Sequence, residues 1–448
     1  MPSVAWPAVG SVSGNAKMAL LFQLDQTQWW SRERLQEMQF EQLRELLTHA
    51  IEEVPFYADL DIDLSAPLTE ERWREIPILQ RTDVQQAGAR LHARDYPQHH
   101  GPKHSVVTSG STGRPIVSLG NGLTRLFWQV GTLRDHLWQK RDFTGKLFSI
   151  RQSAGQAKNV ERGRNWGSAT VDVIETGPAV GMALQTGARE QARLIAEENP
   201  RYLMSYPSNI LAIARVFEEE GLTADKLTEI RSFGEALPQG FAKRCRDVWN
   251  VRTADLYSSQ ETGNIALRSP ETGDYLVQSE TILVEVLDNE GNPCRPGQVG
   301  RVILTPLHNL AMPLIRYEIG DYAEVGEDSP CGRGLPVLKR ILGRTRNMFT
   351  LPGGDQIWPN LDDGELLAEL HRHVPPAEQL QLIQHSPEEV EVRMIAAQDL
   401  NDEQRVHADR YFQQSLGYPF RMSYTRVQEI PRGTSGKFEE FRSEVLPD

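Results

Sequence analysis

Several features that would place the chain in a specialised class of protein are scarce or missing. Its 448 residues include three cysteines, an odd and widely spaced set that argues against a disulfide framework and fits a reducing cytoplasm. No apolar run approaches the roughly 20 residues that a membrane-spanning helix needs, and no basic segment with a sustained apolar stretch opens the chain. We therefore expect a cytoplasmic location, with neither secretion nor a membrane-spanning segment.

Positive charge is also scarce. The chain has 48 Lys and Arg against 61 Asp and Glu, a formal net charge of -13, and it contains no dense basic run. Such a surface repels a phosphate backbone, so nucleic acid is not an expected partner. The length and a composition that is 39% hydrophobic and 24% charged instead predict a multidomain globular enzyme.

Hydrophobic patterning divides the chain into regions. Residues 1–100 form a helical lead-in, in which apolar residues at helical spacing over 35–54 predict a packing helix that Pro55 ends. Short apolar strands alternate with amphipathic helices over 101–343, which predicts an α/β core with layered sheets. Residues 344–448 fit a small α+β domain. We thus predict an α/β protein with an N-terminal domain over 1–343 and a C-terminal domain over 344–448.

The strongest local signal for a site is a loop rich in hydroxyl groups between two apolar pairs. Its glycines permit close backbone approach, and its amides and hydroxyls can donate to phosphate oxygens, although an ordinary flexible turn has the same composition. It lacks the lysine of a Walker loop. The loop residues are Thr108, Ser109, Gly110, Ser111, Thr112 and Gly113.

Later segments offer further groups for a nucleotide. Tyr257 could stack on a purine, and Glu261, four residues on, could hold Mg²⁺, which takes one or two carboxylates plus substrate phosphates. Asp321 follows a glycine where a ribose could be bound, Arg344 could add a second contact, and Lys437 lies on a glycine-rich segment. Each has an ordinary alternative: a core tyrosine, a turn aspartate or a solvated lysine.

Taken in order, these segments resemble the adenylate-forming superfamily. That family has a Thr/Ser-rich glycine loop, Tyr-x-x-x-Glu, Gly-Asp, Gly-Arg and a late Gly-Lys, and all five are present here. The resemblance narrows to the phenylacetate-CoA ligase and coenzyme F390 synthetase branch through four further segments. These are Val54–Tyr57, Tyr206–Ser208, Phe233–Glu235 and Cys331–Pro336.

The resemblance implies a function and roles for individual residues. It implies ATP-dependent activation of a carboxylic acid, with aromatic acids favoured, to an acyl-adenylate, then transfer to coenzyme A. The loop 108–113 would hold the phosphates, Glu261 would bind Mg²⁺, and Lys437 would be the catalytic lysine. The remaining implied contacts are Gly234, Glu235 and Tyr257 at the adenine, Asp321 and Arg344 at the ribose, and Tyr206, Pro207, Ser208 and Gly234 at the acid.

The implied cofactors are ATP, Mg²⁺ and coenzyme A. The resemblance also implies a C-terminal domain that rotates about residues 344–347. We further expect the protein to form a homodimer. A structural zinc occurs in some members between the Tyr-x-x-x-Glu and Gly-Asp segments. His308 and Cys294 are the only histidine and cysteine over 262–320, too few for the four ligands that such a zinc needs, so we expect no zinc.

Two departures from the family pattern leave alternatives open. Gln260 stands where Ser or Thr is common, and Asn347 replaces the usual hinge aspartate. They motivate the alternative that the protein binds nucleotide without catalysis. Independently of them, the acceptor could be an amine, a carrier protein or a phenolic group that receives AMP. Aromatic residues expected near the acid are Trp128, Phe148 and Trp166.

Overall fold

The computed structural model of the chain describes residues 10–107, 116–152, 160–238, 240–344, 348–354, 356–357, 361, 364–377, 379–431 and 438–445. The chain divides into two compact units, Met1–Leu342 and Gly343–Asp448. Among the helices within these ranges, none is both long and apolar enough to cross a membrane.

Four helices open the first unit, and the predicted packing helix is one of them. Ser31 caps it by accepting a hydrogen bond from the backbone amide of Arg34, and its apolar residues, such as Leu43 and Leu46, are buried. The prediction is confirmed, with a start three residues earlier than expected. The four helices are α1 (Val12–Thr27), α2 (Arg32–Glu53), α3 (Glu70–Glu75) and α4 (Arg81–Ala87).

A two-stranded hairpin follows, formed by β1 (His104–Val107) and β2 (Val117–Gly120). The two strands are antiparallel, and Val107 pairs with Val117. The segments on either side of the predicted phosphate loop are therefore paired strands, while the loop itself, 108–113, lies outside the described residues.

A twelve-stranded sheet forms the centre of the first unit. Its order is β11-β12-β13-β14-β10-β9-β8-β7-β6-β3-β5-β4. The run β5-β3-β6-β7-β8 is parallel, and β8 pairs antiparallel with β9, where the second half of the sheet begins. The strands are β3 (Leu147–Arg151), β4 (Glu161–Gly163), β5 (Ala179–Ala183), β6 (Tyr202–Ser205), β7 (Glu229–Phe233), β8 (Arg252–Ser259), β9 (Gly263–Arg268), β10 (Tyr275–Val277), β11 (Ile282–Leu287), β12 (Val299–Pro306), β13 (Tyr317–Val325) and β14 (Val337–Arg344).

Helices pack on the parallel half of this sheet, because the apolar side chains of its strands must be buried against other apolar side chains. Buried residues of β3, β6 and β7, such as Phe148, Leu203 and Ile230, share one core with Ile213 and Phe241 from the helices. The predicted α/β class is confirmed. The helices are α5 (Gly122–Trp138), α6 (Ala188–Glu198), α7 (Pro207–Glu220) and α8 (Phe241–Trp249).

The second unit has its own core and a four-stranded sheet of order β19-β18-β17-β20. Phe349, Leu382, Val392 and Phe420 are fully buried within it. The elements are β15 (Phe349–Thr350), β16 (Gln356–Ile357), α9 (Gly364–His373), β17 (Gln379–Ser386), β18 (Glu389–Ile395), α10 (Asp402–Leu416), β19 (Arg421–Arg426) and β20 (Phe441–Ser443).

Candidate active site

Three of the predicted site segments follow three neighbouring parallel strands. Tyr206–Ser208 follows β6, Gly234 and Glu235 follow β7, and Gln260 and Glu261 follow β8. The carboxyl ends of parallel strands meet at one edge of a sheet, where ligands of open α/β sheets bind. The sequence thus places the predicted acid, adenine and magnesium residues along one edge.

Ser208 and Glu235 connect two of these segments directly. The backbone amide and the hydroxyl of Ser208 donate to the two carboxylate oxygens of Glu235, each at 3.0 Å. Pro207 is the first residue of α7, so the Glu235 carboxylate also lies at the positive N-terminal end of that helix. Gly234, at φ +79, makes the turn that only glycine adopts readily.

Tyr257 and Asp321 form the second contact between predicted residues. The Tyr257 hydroxyl donates to a carboxylate oxygen of Asp321 at 2.8 Å. Their strands, β8 and β13, are four steps apart in the sheet, which would be about 19 Å in a flat sheet with 4.8 Å between strands. The sheet must therefore curl strongly, and this curl brings the predicted adenine and ribose residues together.

Glu261 lies at a cavity of about 290 Å³. The cavity is also lined by His104 and Val106 of β1 and by Ser118 of β2, the strands that flank the predicted phosphate loop. The Glu261 carboxylate is nearly buried and is 3.9 Å from the guanidinium of Arg81. The strands around the phosphate loop and the predicted magnesium ligand thus share one cavity.

The donor set at Glu261 fits Mg²⁺ as part of a nucleotide complex. Within the described ranges, no group of three or more His, Cys, Asp or Glu side chains could hold a metal by itself. One carboxylate beside a place for phosphates suits Mg²⁺, which retains waters and shares its coordination with substrate oxygens.

Several predicted residues have no described side chain. Thr108–Gly113 and Lys437 fall outside the described residues, and Arg344 is described only as the last residue of β14. Their roles at the phosphates, in catalysis and at the ribose stay predictions.

The aromatic residues expected near the acid have different surroundings. Trp128 lines the cavity, but Phe148 is fully buried in the core between the parallel strands and the helices, so its expected place near the acid is wrong. Trp166 packs edge-on against Tyr202, and its indole N–H donates to the carbonyl of Gly145 at 2.9 Å. Alternation along β3 places Phe148 on the core face, a signal that was present in the sequence.

Asp255 is a buried carboxyl that sequence reasoning missed. It accepts hydrogen bonds from the hydroxyls of Ser232 on β7 and Tyr275 on β10. Burial raises its pKa to about 6, and these two hydrogen bonds only partly oppose the effect of burial. Nothing in the local sequence indicates partners that are 20 or more residues away.

A buried charge network was missed for the same reason. Arg141 pairs with Asp135, at the end of α5, and with Glu229 on β7, while Arg231 pairs with the same Asp135 at 3.1 Å. Although burial opposes it, the pairing with Arg141 and Arg231 holds the pKa of Asp135 down at about 2. The network fixes α5 against the first residues of β7.

The chain is similar in sequence to one described protein family and to phenylacetate-coenzyme A ligases. The family described as the CapK C-terminal domain matches residues 366–443. A phenylacetate-coenzyme A ligase of Thermus thermophilus is 24% identical over 461 residues, an alignment that covers 91% of this chain and 96% of that protein.

Solved structures share the fold. A crystal structure of 2-hydroxyisobutyryl-CoA ligase in the postadenylation state matches with a TM-score of 0.71 at 19% identity, covering 91% of this chain and 89% of that chain. O-succinylbenzoate coenzyme A synthetase from Bacillus subtilis, in complex with ATP and magnesium ion, matches with a TM-score of 0.50 at 15% identity, covering 75% and 68%. These matches confirm the resemblance of the chain to the adenylate-forming superfamily and to its phenylacetate-CoA ligase branch.

Proposed function

We propose that the protein is an AMP-forming acid–thiol ligase that activates a carboxylic acid, with aromatic acids favoured, and transfers it to coenzyme A. The observation that carries this proposal is the convergence of predicted nucleotide residues: Tyr257 bonds Asp321, and Glu261 shares a cavity with the strands around the phosphate loop. The similarity to phenylacetate-coenzyme A ligases supports the same activity.

The first half-reaction joins the acid to AMP. A carboxylate oxygen of the acid attacks the α-phosphorus of ATP, the bond from that phosphorus to the bridging oxygen breaks, and pyrophosphate leaves. Catalysis of this step needs positioning and neutralisation of negative charge, so no side-chain nucleophile is required. Lys437 supplies an ammonium group for the charge that gathers on the carboxylate and α-phosphate oxygens.

The residues at the strand ends position the two substrates. Asp321 accepts from the ribose hydroxyls while its contact with the Tyr257 hydroxyl fixes the ring beside the adenine. Glu261 holds Mg²⁺, which would reduce repulsion among the phosphates when bound. Tyr206 and Ser208 border the acid. The hydrogen bonds from Ser208 to Glu235 fix the position of these residues relative to the residues that border the adenine.

The second half-reaction transfers the acyl group. The thiolate of coenzyme A attacks the acyl carbon, the bond to the AMP oxygen breaks, and AMP leaves with a thioester as the other product. We propose that residues 344–448 move about 344–347 between the two steps, which would remove Lys437 once the adenylate has formed.

Product analysis tests this function. ATP, Mg²⁺ and a panel of aryl and aliphatic acids are incubated with the protein, with and without coenzyme A, and AMP, pyrophosphate and thioester are measured. We expect thioester and AMP in equal amounts only when coenzyme A is present. AMP release that does not depend on the thiol, with an active acid, would favour an amine, carrier-protein or phenolic acceptor instead.

We propose a homodimer, with the exposed face of α1 as the contact. Exposed apolar residues on this helix include Val12, Met18 and Phe22, and no ionised side chain lies on the exposed face between Ser11 and Gln23. Two copies with a net charge of -13 each repel one another least across an uncharged face. Light scattering should give a dimer mass for the wild type and a monomer mass for Phe22→Glu; equal masses would contradict this.

We propose a cytoplasmic location, supported by the thiols. Cys245, Cys294 and Cys331 are all free, so nothing in the fold depends on an oxidising compartment. Fractionation of cells that express the protein should recover it with cytoplasmic markers, and recovery with an oxidising compartment would contradict the proposal.

A further inference from the structure

An arginine lies at the end of β3, on the same edge of the sheet as the proposed acid site. Arg151 is the last residue of β3, and β3 pairs in parallel with β6, which leads into Tyr206. Among the described residues, no carboxylate lies within ion-pairing distance of Arg151, and the residue is open to solvent. It is therefore an accessible positive charge at an edge where ligands bind.

The Arg151 guanidinium points across the sheet toward the acid site. Its Nη2 is 3.7 Å from the sulfur of Met204, which precedes Tyr206 by two residues on β6. Its central carbon is 5.5 Å from the centroid of the Phe233 ring at the end of β7. The rings of Tyr206 and Phe233 are themselves 4.7 Å apart, so the cation and two aromatic rings converge.

Arg231 is a second arginine near Met204, and it differs from Arg151 in being buried and paired. Its Nη1, reaching from the neighbouring strand β7, lies 3.8 Å from the sulfur of Met204, but its charge is neutralised by Asp135 at 3.1 Å, and the residue is buried. Two guanidinium groups thus approach one methionine, and within the described ranges only that of Arg231 is paired with a carboxylate. The two positive charges also repel each other, which favours an anion beside Arg151.

The position of Arg151 determines which anionic group of the substrates it can contact. In the order β8-β7-β6-β3 it is three strands away from β8, so it lies about 14 Å from β8, the strand that contains Tyr257 and leads into Glu261. The phosphates are expected at the cavity of Glu261, whose lining does not include Arg151. The distance suits the far end of the acid and does not suit the reacting carboxylate or the phosphates.

We propose that Arg151 is a specificity-determining residue that binds a second anionic group on the acid, so that the preferred substrates are aryl acids with a carboxylate distal to the one that reacts. This rests on the proposed function. The guanidinium offers a planar fork of donors that matches a carboxylate, and the rings of Tyr206 and Phe233 would border the aryl group between the two carboxylates.

Matched pairs of acids test the proposal. The pairs are phenylacetate with 4-carboxyphenylacetate, and benzoate with terephthalate, in an acid-dependent exchange of labelled pyrophosphate into ATP. The wild type should show a higher kcat/KM for the dicarboxylate of each pair. Arg151→Met should lower that preference by about 30-fold or more, because it removes one partner of a close charge pair.

Two further variants separate specificity from folding. Arg151→Lys should retain part of the preference, because it keeps the charge but loses the fork. Arg162→Met is the matched control, since Arg162 lies on β4, two strands from β3 in the sheet, is exposed and pairs with Glu198 at 2.8 Å, and its loss should leave the preference unchanged. Each variant is also checked by its thermal midpoint.

The outcomes are distinguishable. A preference for the dicarboxylate that survives in Arg151→Met, or a wild type that exchanges with the monoacids equally well, overturns the role of Arg151 while leaving acid activation intact. A wild type that exchanges with no acid in a broad panel counts against the proposed function itself.

Discussion

The two halves of the twelve-stranded sheet contribute to the candidate site in different ways. The parallel half, β5-β3-β6-β7-β8, contributes the turns after its strands, at Tyr206–Ser208, Gly234–Glu235 and Gln260–Glu261. The antiparallel half contributes a side chain from within a strand, Asp321 of β13, which reaches the site because the sheet curls. The parallel half thus supplies a row of groups along one edge, and the antiparallel half closes over it.

The largest effect should come from the parallel half. Glu261→Gln keeps the shape of the side chain but removes the charge that would hold Mg²⁺, and we expect a fall in kcat/KM for ATP of about 100-fold or more, measured by acid-dependent pyrophosphate release. Glu290→Gln, an exposed glutamate on the turn after β11, is the control and should have full activity. Equal activity of the two variants would remove Glu261 from the site.

Asp255 joins the two halves, since its partners Ser232 and Tyr275 lie on β7 and β10. Its folded-state pKa of about 6 exceeds the ordinary value, so the folded chain holds a proton that the unfolded chain releases between about pH 4 and 6. The stability from this group is fully present below pH 4 and is lost as the pH rises through 6, about 3 kcal/mol in all.

Asp255→Asn cannot ionise and should therefore gain relative to the wild type as the pH rises. Urea unfolding at pH 4 and pH 7 gives the difference in unfolding free energy between the two proteins at each pH. We expect this difference to move by about 3 kcal/mol in favour of the Asn variant. A difference that is the same at both pH values would show that Asp255 does not bridge the two halves as a protonated acid.

The contact between Tyr257 and Asp321 tests whether the antiparallel half closes over the site. Tyr257→Phe and Asp321→Asn should each raise the KM for ATP about tenfold, because the first removes and the second weakens the hydrogen bond between the two side chains. In the double variant the losses should not add, with a coupling energy of about 1 kcal/mol. Additive losses would mean that the two residues act separately and that the curl does not join them.

The smallest effect should lie within the parallel half alone. Ser208→Ala removes the hydroxyl bond to Glu235 but keeps the backbone bond, and we expect a loss of about 1 kcal/mol in unfolding free energy with a modest rise in KM for the acid. Chemical denaturation and acid titration measure the two quantities. A change in the KM for ATP with no change in the KM for the acid would show that the hydroxyl of Ser208 supports the nucleotide site and not the acid site.

The sequence predicted the parallel half of the site better than the antiparallel half, for a physical reason. Ser208, Gly234 and Glu261 each follow a short apolar strand, and the ends of parallel strands share an edge, so their proximity follows from local pattern and topology. The contact of Tyr257 with Asp321 depends on the curl of the whole sheet, which residue spacing does not determine. The family resemblance pointed to both residues, but it did not predict their hydrogen bond.

The sequence-based predictions failed for residues whose environment depends on side-chain direction or on pairing with distant parts of the chain. Asp255 and Arg141 are paired by the tertiary fold, and no local pattern announces their partners. Phe148 was expected near the acid because it is aromatic, yet strand alternation puts it in the core. Arg151 was missed because a single arginine at a strand end is unremarkable in sequence, and only the three-dimensional structure shows that no described carboxylate lies within ion-pairing distance of it.

Exchange of labelled pyrophosphate into ATP tests the central claim most directly, because it reports adenylate formation without the second half-reaction. We predict acid-dependent exchange by the wild type and its loss in Lys437→Ala, with Lys226→Ala, an exposed lysine in the first unit, as the active control. Unchanged exchange in Lys437→Ala, or no exchange by the wild type with any aryl or aliphatic acid, would contradict this prediction.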